Sequence, residues 1–586
     1  MSNMSGLNRK EDFANVHPEV ARKAFRAGKG FVTSGVCIGY LQANIVIVHK
    51  SLADDFAGFC AANSGPLPML YRSEVGQLTA PAITQTDTDI STDLPAYYVF
   101  EDGKISGTIQ DLNAYRDVIH DYVTFYQGCS FSFEGALLAA GVPVRNIEQN
   151  SDTSAYRLNV TCHPVGPFSA QMITSMRPIP RAQVQTAFRA THPFTSAHGA
   201  PVHMGNPELV GVYDLSKTDY LVPVKFHEGD VPVFWACGIT GPESLQSLRN
   251  PAPVAFSDAV GLYISDTPVA STISSKDDSP ACLPIVVPLC DEPYWASVTS
   301  EGMVLKINKL EGLIATNSSG NNDLLKSSLA VSHASSVAIT TMSTMDDDTT
   351  SGVIALTRML RALGKRVDLL ATQTLYNEQA KIVEGLVEKN ILDEGVSVAH
   401  FPPEGEDDTL ETAKNFLLQT GAKHSQRYDH LIAIDMAGKD VNQTGCLQST
   451  EMLFRAAKDK STVLTTVISN VKESTDLYSR EASICDFRIQ TTGTAGWGGY
   501  ALASALYLLR VCPIHDRYRR RAIGFPPTEK DLQMFQTALP DIEKEHQVSH
   551  IIKNIKTNGA SERDASSVSF WEINKNKLKQ LLNIIN

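Results

Sequence analysis

Residues 128–134 read Gly-Cys-Ser-Phe-Ser-Phe-Glu and place a thiol, two hydroxyls and a carboxylate within six positions, just before an apolar stretch. Thiols and carboxylates carry nucleophilic and acid–base catalysis, so we predict that Cys129 and Glu134 are catalytic. On an extended segment the polar side chains would share one face, so we predict that Ser130 and Ser132 bind substrate. The alternative is that one serine only caps the helix that begins near Glu134.

Two arginines are candidates for holding a substrate carboxylate. Arg177 ends a strand-like run directly before Pro178, and Arg157 follows a short apolar pair earlier in the chain. A guanidinium offers a planar fork of N–H donors that matches a carboxylate. We predict that Arg177 is catalytic and that Arg157 binds substrate, although a structural salt bridge fits the sequence equally well.

A glycine- and proline-rich stretch contains His198 and His203, five residues apart. Such a pair can ligate a metal or act as acid and base, and we predict that both are catalytic. Cys237 ends an apolar strand and is followed by a glycine. We predict that it binds substrate; the alternative is a buried cysteine that behaves as a small apolar residue.

The C-terminal half alternates strand and helix patterns, which predicts a doubly wound, largely parallel sheet. Ligands of such sheets bind at the carboxyl ends of the strands, which singles out Thr341 for substrate binding and Asp435 for catalysis. Asp346 and Asp348 lie in an acidic run before a helix and are our candidate metal ligands. The alternative is that these aspartates only offset the helix dipole.

Composition places the chain among soluble, multidomain proteins. It has 586 residues, 43% hydrophobic and 20% charged, and a net charge of −13. The negative charge argues against a nucleic-acid partner, and no apolar run has the length of a membrane span. Ten cysteines without a CxxC pair indicate neither a zinc site nor a disulfide framework. The basic cluster at 517–521 is expected to be a solvated helix end.

We predict an α/β protein of two domains, the first of mixed α/β type and the second doubly wound. The predicted segments are a polar N-terminus (1–40), a first domain (41–265), a linker (266–300) and a second domain (301–586). The first domain is expected to hold a helix over 112–126 that leads into the residues with the thiol.

Five blocks between residues 45 and 265 resemble the YcsI-type hydro-lyase family. They are Thr92-Asp93-Leu94-Pro95, the 128–134 stretch, and the segments 175–180, 198–203 and 232–238, in the order of the family. This resemblance implies a lyase that removes water from its substrate.

The C-terminal half resembles the C-terminal domain of the D-glutamate cyclase family. The matching segments are 332–341, 352–364, 430–438 and 497–503. Three departures are visible: Asp435-Met436 stands where the family has Glu-Arg, the loop before Gly352 is shortened, and a glycine-rich segment expected between Ser469 and Asp486 is absent. From the last matching segment we predict that Trp497 binds substrate.

These resemblances imply conversion of D-glutamate into 5-oxo-D-proline and water. They further imply a small acidic amino acid as substrate, a divalent metal (Mn²⁺ or Mg²⁺), no nucleotide cofactor and a location in the mitochondrial matrix. The sequence leaves the oligomeric state open, with a homo-oligomer as the candidate. A cytoplasmic location is expected if the N-terminus is not a transit peptide. The alternatives are a silent small-molecule binder and a dehydratase that acts through the N-terminal domain alone.

Overall fold

The computed structural model describes residues 9–586 except for 86, 250–251, 274–278, 286–294, 316–322, 342–346, 419–426, 436–443, 461–462, 471–483 and 557–565. The chain divides into two compact units. The first unit contains Met1–Cys282 together with Arg517–Pro526, and the second contains Leu283–Asp516 and Pro527–Asn586. A short segment late in the chain therefore belongs with the N-terminal half.

Both halves of the chain contain helices and strands. The α-helices are α1 (Pro18–Arg26), α2 (Lys50–Ala62), α3 (Glu134–Ala139), α4 (Arg145–Glu148), α5 (Val184–Thr191), α6 (Thr240–Leu245), α7 (Glu301–Ile314), α8 (Asp323–His333), α9 (Asp347–Ala362), α10 (Tyr376–Glu388), α11 (Leu410–Leu417), α12 (Thr444–Lys460), α13 (Gly496–Val511), α14 (Pro513–Arg519), α15 (Glu529–Thr537), α16 (Ile542–Lys556) and α17 (Ser566–Ile585). The strands are β1 (Tyr40–His49), β2 (Met69–Arg72), β3 (Tyr97–Glu101), β4 (Lys104–Ile109), β5 (Tyr122–Gly128), β6 (Ser154–Thr161), β7 (Gln171–Pro180), β8 (His203–Met204), β9 (Tyr220–Leu221), β10 (Asp230–Ala236), β11 (Ala255–Asp258), β12 (Tyr263–Pro268), β13 (Pro280–Ile285), β14 (Trp295–Ser300), β15 (Ser336–Thr341), β16 (Arg366–Ala371), β17 (Val396–His400), β18 (His430–Ile434), β19 (Leu464–Asn470) and β20 (Phe487–Thr491).

Two antiparallel sheets form the first unit. One has the order β2-β5-β1-β11-β3-β4, with β12 also paired to β1, and the other has the order β8-β10-β7-β6-β9. Strand β1 is buried along almost its whole length and pairs with β5, β11 and β12. Its residues 45–48 therefore read as a continuous apolar run, because both faces of the strand are covered.

The predicted helix over 112–126 is wrong. Its second part is strand β5, buried at all seven positions, and only short 3₁₀ turns precede it. A strand covered on both faces loses the alternation of polar and apolar residues that would have identified it. Residues Ser130–Phe133 are also helical rather than extended, because the chain begins a 3₁₀ turn directly after Cys129.

The second unit contains the predicted parallel sheet, in the order β17-β16-β15-β18-β19-β20. All five of its strand pairings are parallel. In chain order this is 3-2-1-4-5-6, and the direction of winding reverses between β15 and β18. The fold class is therefore confirmed: mixed α/β, with antiparallel sheets in the N-terminal half and a parallel sheet in the C-terminal half.

Several segments predicted to be polar or solvated carry packed elements. The N-terminal segment includes helix α1, whose Phe25 and Arg22 are buried. The basic cluster at 517–521 belongs to the first unit, and none of its residues is exposed, so the expectation of a solvated helix end is wrong. Arg517 donates a hydrogen bond to the carbonyl of His198, which fixes this segment within the unit. In the part of the chain that the structure describes, no helix combines the length and apolarity that a membrane crossing requires.

Candidate active site

A cavity of about 140 Å³ opens among the strands of the first unit. Both antiparallel sheets contribute to its wall, and its polar lining includes Asn44, Cys129, Ser130, Ser175, Cys237 and Asp258. Ile105, Leu221 and Val260 also line it and are exposed. A cavity of roughly 150 Å³ accepts a molecule the size of benzene, so this one suits a compact metabolite and not a dinucleotide.

Two thiols face this cavity from different sheets. Cys129 follows β5, Cys237 follows β10, and both are free and buried. Burial raises the pKa of Cys129 well above its ordinary value, and the nearby Cys237 raises it further. Burial raises the pKa of Cys237 to about 11. Both side chains are therefore protonated thiols at neutral pH.

Asp258 is the acidic group of the cavity. Its carboxylate accepts hydrogen bonds from the backbone N–H of Ile45 at 2.6 Å and from the Asn44 amide at 3.1 Å. Burial outweighs these bonds and raises the pKa of Asp258 to about 7. A carboxyl group with this pKa can both accept and donate a proton under physiological conditions.

Asn44 presents an unused acceptor beside this acid. Its Oδ1 atom is buried and has no hydrogen-bond partner among the described residues. A buried amide oxygen without a partner costs free energy, which a donor on a bound ligand would recover. Gly238 makes room for this side chain, because a Cβ atom at that position would lie 2.0 Å from Asn44 Oδ1.

Arg177 and Glu134 form a buried ion pair behind the cavity wall. The guanidinium Nη2 lies 2.8 Å from Glu134 Oε1, and the two side chains are 0% and 1% exposed. Arg177 also donates to the hydroxyls of Ser130 and Ser175, which lie 3.2 Å from each other and line the cavity. Arg177 therefore contacts the cavity through these two hydroxyls. The carboxylate that it binds is that of Glu134 and not that of a substrate.

Four other predicted residues of the first unit lie away from the cavity. Ser132 accepts a hydrogen bond from the backbone N–H of Gln42 and caps no helix. Arg157 forms ion pairs with Asp219 and Glu243. The rings of His198 and His203 are buried and donate to the backbone carbonyls of Gly65 and Asn206. Burial lowers the pKa of His198 to about 4 and that of His203 to about 3, so both rings are neutral.

In the second unit the structure brings Thr341 and Asp435 together at the point where the winding reverses. Thr341 pairs with Ile434, the residue before Asp435. Asp435 has a left-handed backbone with φ of 62°, and its N–H donates to the carbonyl of Ile468. Trp497 is buried near the start of α13 and lies under the ammonium of Lys577. The loops after Thr341 and Asp435, at 342–346 and 436–443, fall outside the described residues.

The metal ligands predicted from the sequence stay a prediction. Asp346 lies outside the described residues, and Asp348 accepts a weak hydrogen bond from Asn574 at 3.5 Å. Across the described ranges no group of three or more His, Cys, Asp or Glu side chains is arranged to hold a metal ion. The donors that we can describe do not form a ligand set, so no chemical step is assigned to a metal.

Sequence reasoning missed Asn44 and Asp258. Asn44 lies in the apolar run of β1 and Asp258 ends β11, more than two hundred residues later. The available signal was a pair of amides, Gln42 and Asn44, in a strand that is otherwise mostly apolar, since such groups must find partners when they are buried. The pairing of β1 with β11 supplies that partner.

Known proteins share both halves of this arrangement. The profile described as "D-glutamate cyclase" matches residues 123–265, and the profile "D-glutamate cyclase-like, C-terminal" matches residues 311–453. The human protein "D-glutamate cyclase, mitochondrial" is 31% identical over 568 residues, which cover 89% of each chain. The chain belongs to the D-glutamate cyclase family.

Bacterial relatives match the N-terminal half alone. A "Putative hydro-lyase" from Bradyrhizobium sp. (strain BTAi1) is 43% identical over 42% of this chain and 88% of its own length. "Putative hydro-lyase YcsI" from Bacillus subtilis is 42% identical over 38% of this chain and 86% of its own length. The half that contains the cavity thus exists elsewhere as a whole protein. Together these matches support an enzyme of the hydro-lyase class that resembles D-glutamate cyclase.

Proposed function

We propose that the chain converts D-glutamate into 5-oxo-D-proline and water, and that the cavity of the first unit holds the reaction. The observation that carries the location is the Asp258 carboxyl group, with a pKa of about 7, beside the unpartnered Asn44 amide oxygen. The substrate is supported by the family and by the human relative that is named for this reaction. The cavity suits a compact amino acid.

In this proposal the substrate ammonium binds beside Asn44 Oδ1 and Asp258. The amide oxygen accepts one N–H, and an ionised Asp258 balances the positive charge. The α-carboxylate lies at the hydroxyls of Ser130 and Ser175. Arg177 donates to both hydroxyl oxygens, and one hydroxyl donates to the other, so the proton of the second hydroxyl can point to an anion.

The reaction moves two protons from the nitrogen to the departing oxygen, and Asp258 can carry them one after the other. Asp258 first accepts a proton from the ammonium, which leaves a neutral amine as nucleophile. The amine attacks the γ-carboxyl carbon and a C–N bond forms. Asp258 gives its proton to one carboxyl oxygen, takes a second proton from the nitrogen and passes it to the same oxygen, and the C–O bond breaks as water leaves. Ring closure is intramolecular, so correct placement of the chain ends supplies much of the rate.

A direct assay tests the proposal. The full chain is incubated with D-glutamate, with and without Mg²⁺ or Mn²⁺, and 5-oxo-D-proline is followed by chiral chromatography. Asp258→Asn is expected to lower kcat at least 100-fold, since acid–base groups contribute about 10²–10⁴-fold. If Asp435→Asn abolishes turnover and Asp258→Asn does not, the reaction belongs to the second unit. A thermal shift with D-glutamate but no product would identify a binder instead.

The human relative is mitochondrial by name, and we propose the mitochondrial matrix for this chain on the same basis. Fractionation of cells that express the full chain, followed by protease protection of the isolated organelles, tests the location. Recovery of the protein only in the cytosol would overturn it.

A further inference from the structure

The proposed cyclisation does not use two groups that line the cavity, the thiols of Cys129 and Cys237. We propose that they form an acid–base pair that exchanges the α-proton of a bound acidic amino acid and so interconverts D- and L-glutamate. The inference rests on the proposed function only for the identity of the substrate.

The surroundings of the two thiols correspond closely. Each cysteine directly follows a strand, β5 for Cys129 and β10 for Cys237, and each precedes a helical segment. The backbone N–H group two residues later, of Phe131 or of Ile239, lowers the pKa of each thiol. An N–H group directed at sulfur stabilises the thiolate, so both positions favour the charged form that proton exchange requires.

The two thiols line the same cavity and follow strands of different sheets. A charge on Cys237 raises the pKa of Cys129, so the two groups do not ionise together. They are nevertheless free cysteines and not a disulfide. One sulfur follows a strand of the seven-stranded sheet and the other a strand of the five-stranded sheet, and the proposal places the ligand between them.

One thiolate and one thiol are needed, and the site can supply this state when substrate binds. Burial keeps both groups protonated in the empty site, while the positive charge of Arg177 lowers both pKa values. A substrate ammonium adds a second positive charge in the same cavity, which favours the loss of one thiol proton. The hydroxyls of Ser130 and Ser175 hold the α-carboxylate, onto which negative charge spreads when the α-proton leaves.

The exchange balances without a redox partner. The thiolate takes the α-hydrogen as a proton, so the Cα–H bond breaks, an S–H bond forms, and the electron pair stays on Cα and its carboxylate. The second thiol then gives its proton to the other face of Cα. The product is the opposite enantiomer, and the thiolate has moved from one cysteine to the other.

The test is exchange in D₂O with the full chain. D-glutamate is incubated with wild-type protein, the α-proton signal is followed by NMR, and the enantiomers and 5-oxoproline are separated by chiral chromatography. We expect loss of the α-proton signal and appearance of L-glutamate. Cyclised product that keeps its α-proton, with no L-glutamate, would overturn the inference and leave the proposed function standing. Exchange of the α-proton without formation of 5-oxoproline would support the inference and overturn the proposed function. A folded sample that shows neither reaction would overturn both.

Single-thiol variants sharpen the result. In Cys129→Ala and Cys237→Ala we expect interconversion to fall at least 100-fold, while α-proton exchange persists for one enantiomer only, a different one in each variant. Cys162→Ser is the matched control, because Cys162 is buried in the same unit and does not line the cavity. Circular dichroism confirms folding of each variant. Equal exchange of both enantiomers by either alanine variant would exclude the pair.

Discussion

Arg177 Nη2 and Glu134 Oε1 lie 2.8 Å apart in an ion pair that solvent does not reach. Glu134 also accepts from Ser34 Oγ at 2.9 Å and from the Gly35 N–H at 3.2 Å. Arg177 is flanked by the rings of Phe133 and Trp235. The pair ties the start of α3 to strand β7, next to the two hydroxyls of the cavity.

Removing one partner of this pair is expected to destabilise the first unit. Arg177→Met leaves Glu134 as an uncompensated buried charge, which costs about 3–5 kcal/mol, and Glu134→Gln does the same to Arg177. Urea unfolding followed by fluorescence measures the change. The double variant Arg177→Met/Glu134→Leu is the control, because it removes both charges together. If it is as unstable as the single variants, the pairing of charge is not the cause.

The pKa of Asp258, raised to about 7 by burial, predicts that stability falls as pH rises. Between pH 4 and 7 the folded protein holds this proton while the unfolded chain has released it, so the free energy of unfolding decreases through that window. The full effect is on the order of 4 kcal/mol. Asp258→Asn is expected to remove this decrease. An identical pH dependence in wild type and variant would contradict the prediction.

The buried histidines predict a loss of stability on the acid side. Burial lowers the pKa of His198 to about 4 and that of His203 to about 3, so the folded state resists protonation that the unfolded chain accepts below about pH 6.5. Stability from these rings is present above pH 6.5 and is lost as pH falls to 4. His203→Asn should flatten this part of the curve relative to wild type. His163→Gln, at an exposed position, should leave it unchanged.

Gly238 offers a test of the Asn44 amide that does not replace the acid. In Gly238→Ala the new methyl group would overlap Asn44 Oδ1, so the amide must move. We expect KM for D-glutamate to rise about tenfold, the loss of one hydrogen bond to a charged group. Gly107→Ala in β4 is the control, since nothing lies within 4 Å of its Cβ position. Equal KM values in both variants would remove Asn44 from the binding site.

The sequence predicted five strands of the parallel sheet, β15 to β19, because they alternate with helices that have a clear apolar period, but it did not predict β20. It predicted the cavity only in part. Cys129, Ser130 and Cys237 stand in recognisable stretches, whereas Asp258 meets Asn44 only through the pairing of β11 with β1. Contacts between distant strands depend on register, which local patterns do not contain. The strand over Tyr122–Gly128 was missed for a related reason, since burial on both faces erased its alternation.

Helices α9 and α13 of the second unit approach so closely that their glycines are required. A Cβ atom on Gly352 would lie 2.2 Å from the carbonyl oxygen of Gly496, and one on Gly499 would lie 2.4 Å from that of Gly352. Because these neighbours are backbone atoms, they cannot rotate away, and Gly352→Ala must separate the helices. We expect a loss of about 3 kcal/mol, the upper end for overpacking.

Gly312→Ala in α7 provides the opposite case within the same unit. Nothing lies within 4 Å of its Cβ position, so alanine gains helix propensity without a clash. The expected change is a stabilisation of up to about 1 kcal/mol. Thermal and urea unfolding of the two variants should therefore move in opposite directions from wild type. If Gly352→Ala also stabilises the protein, glycine at this position is not required for the close packing of α9 and α13.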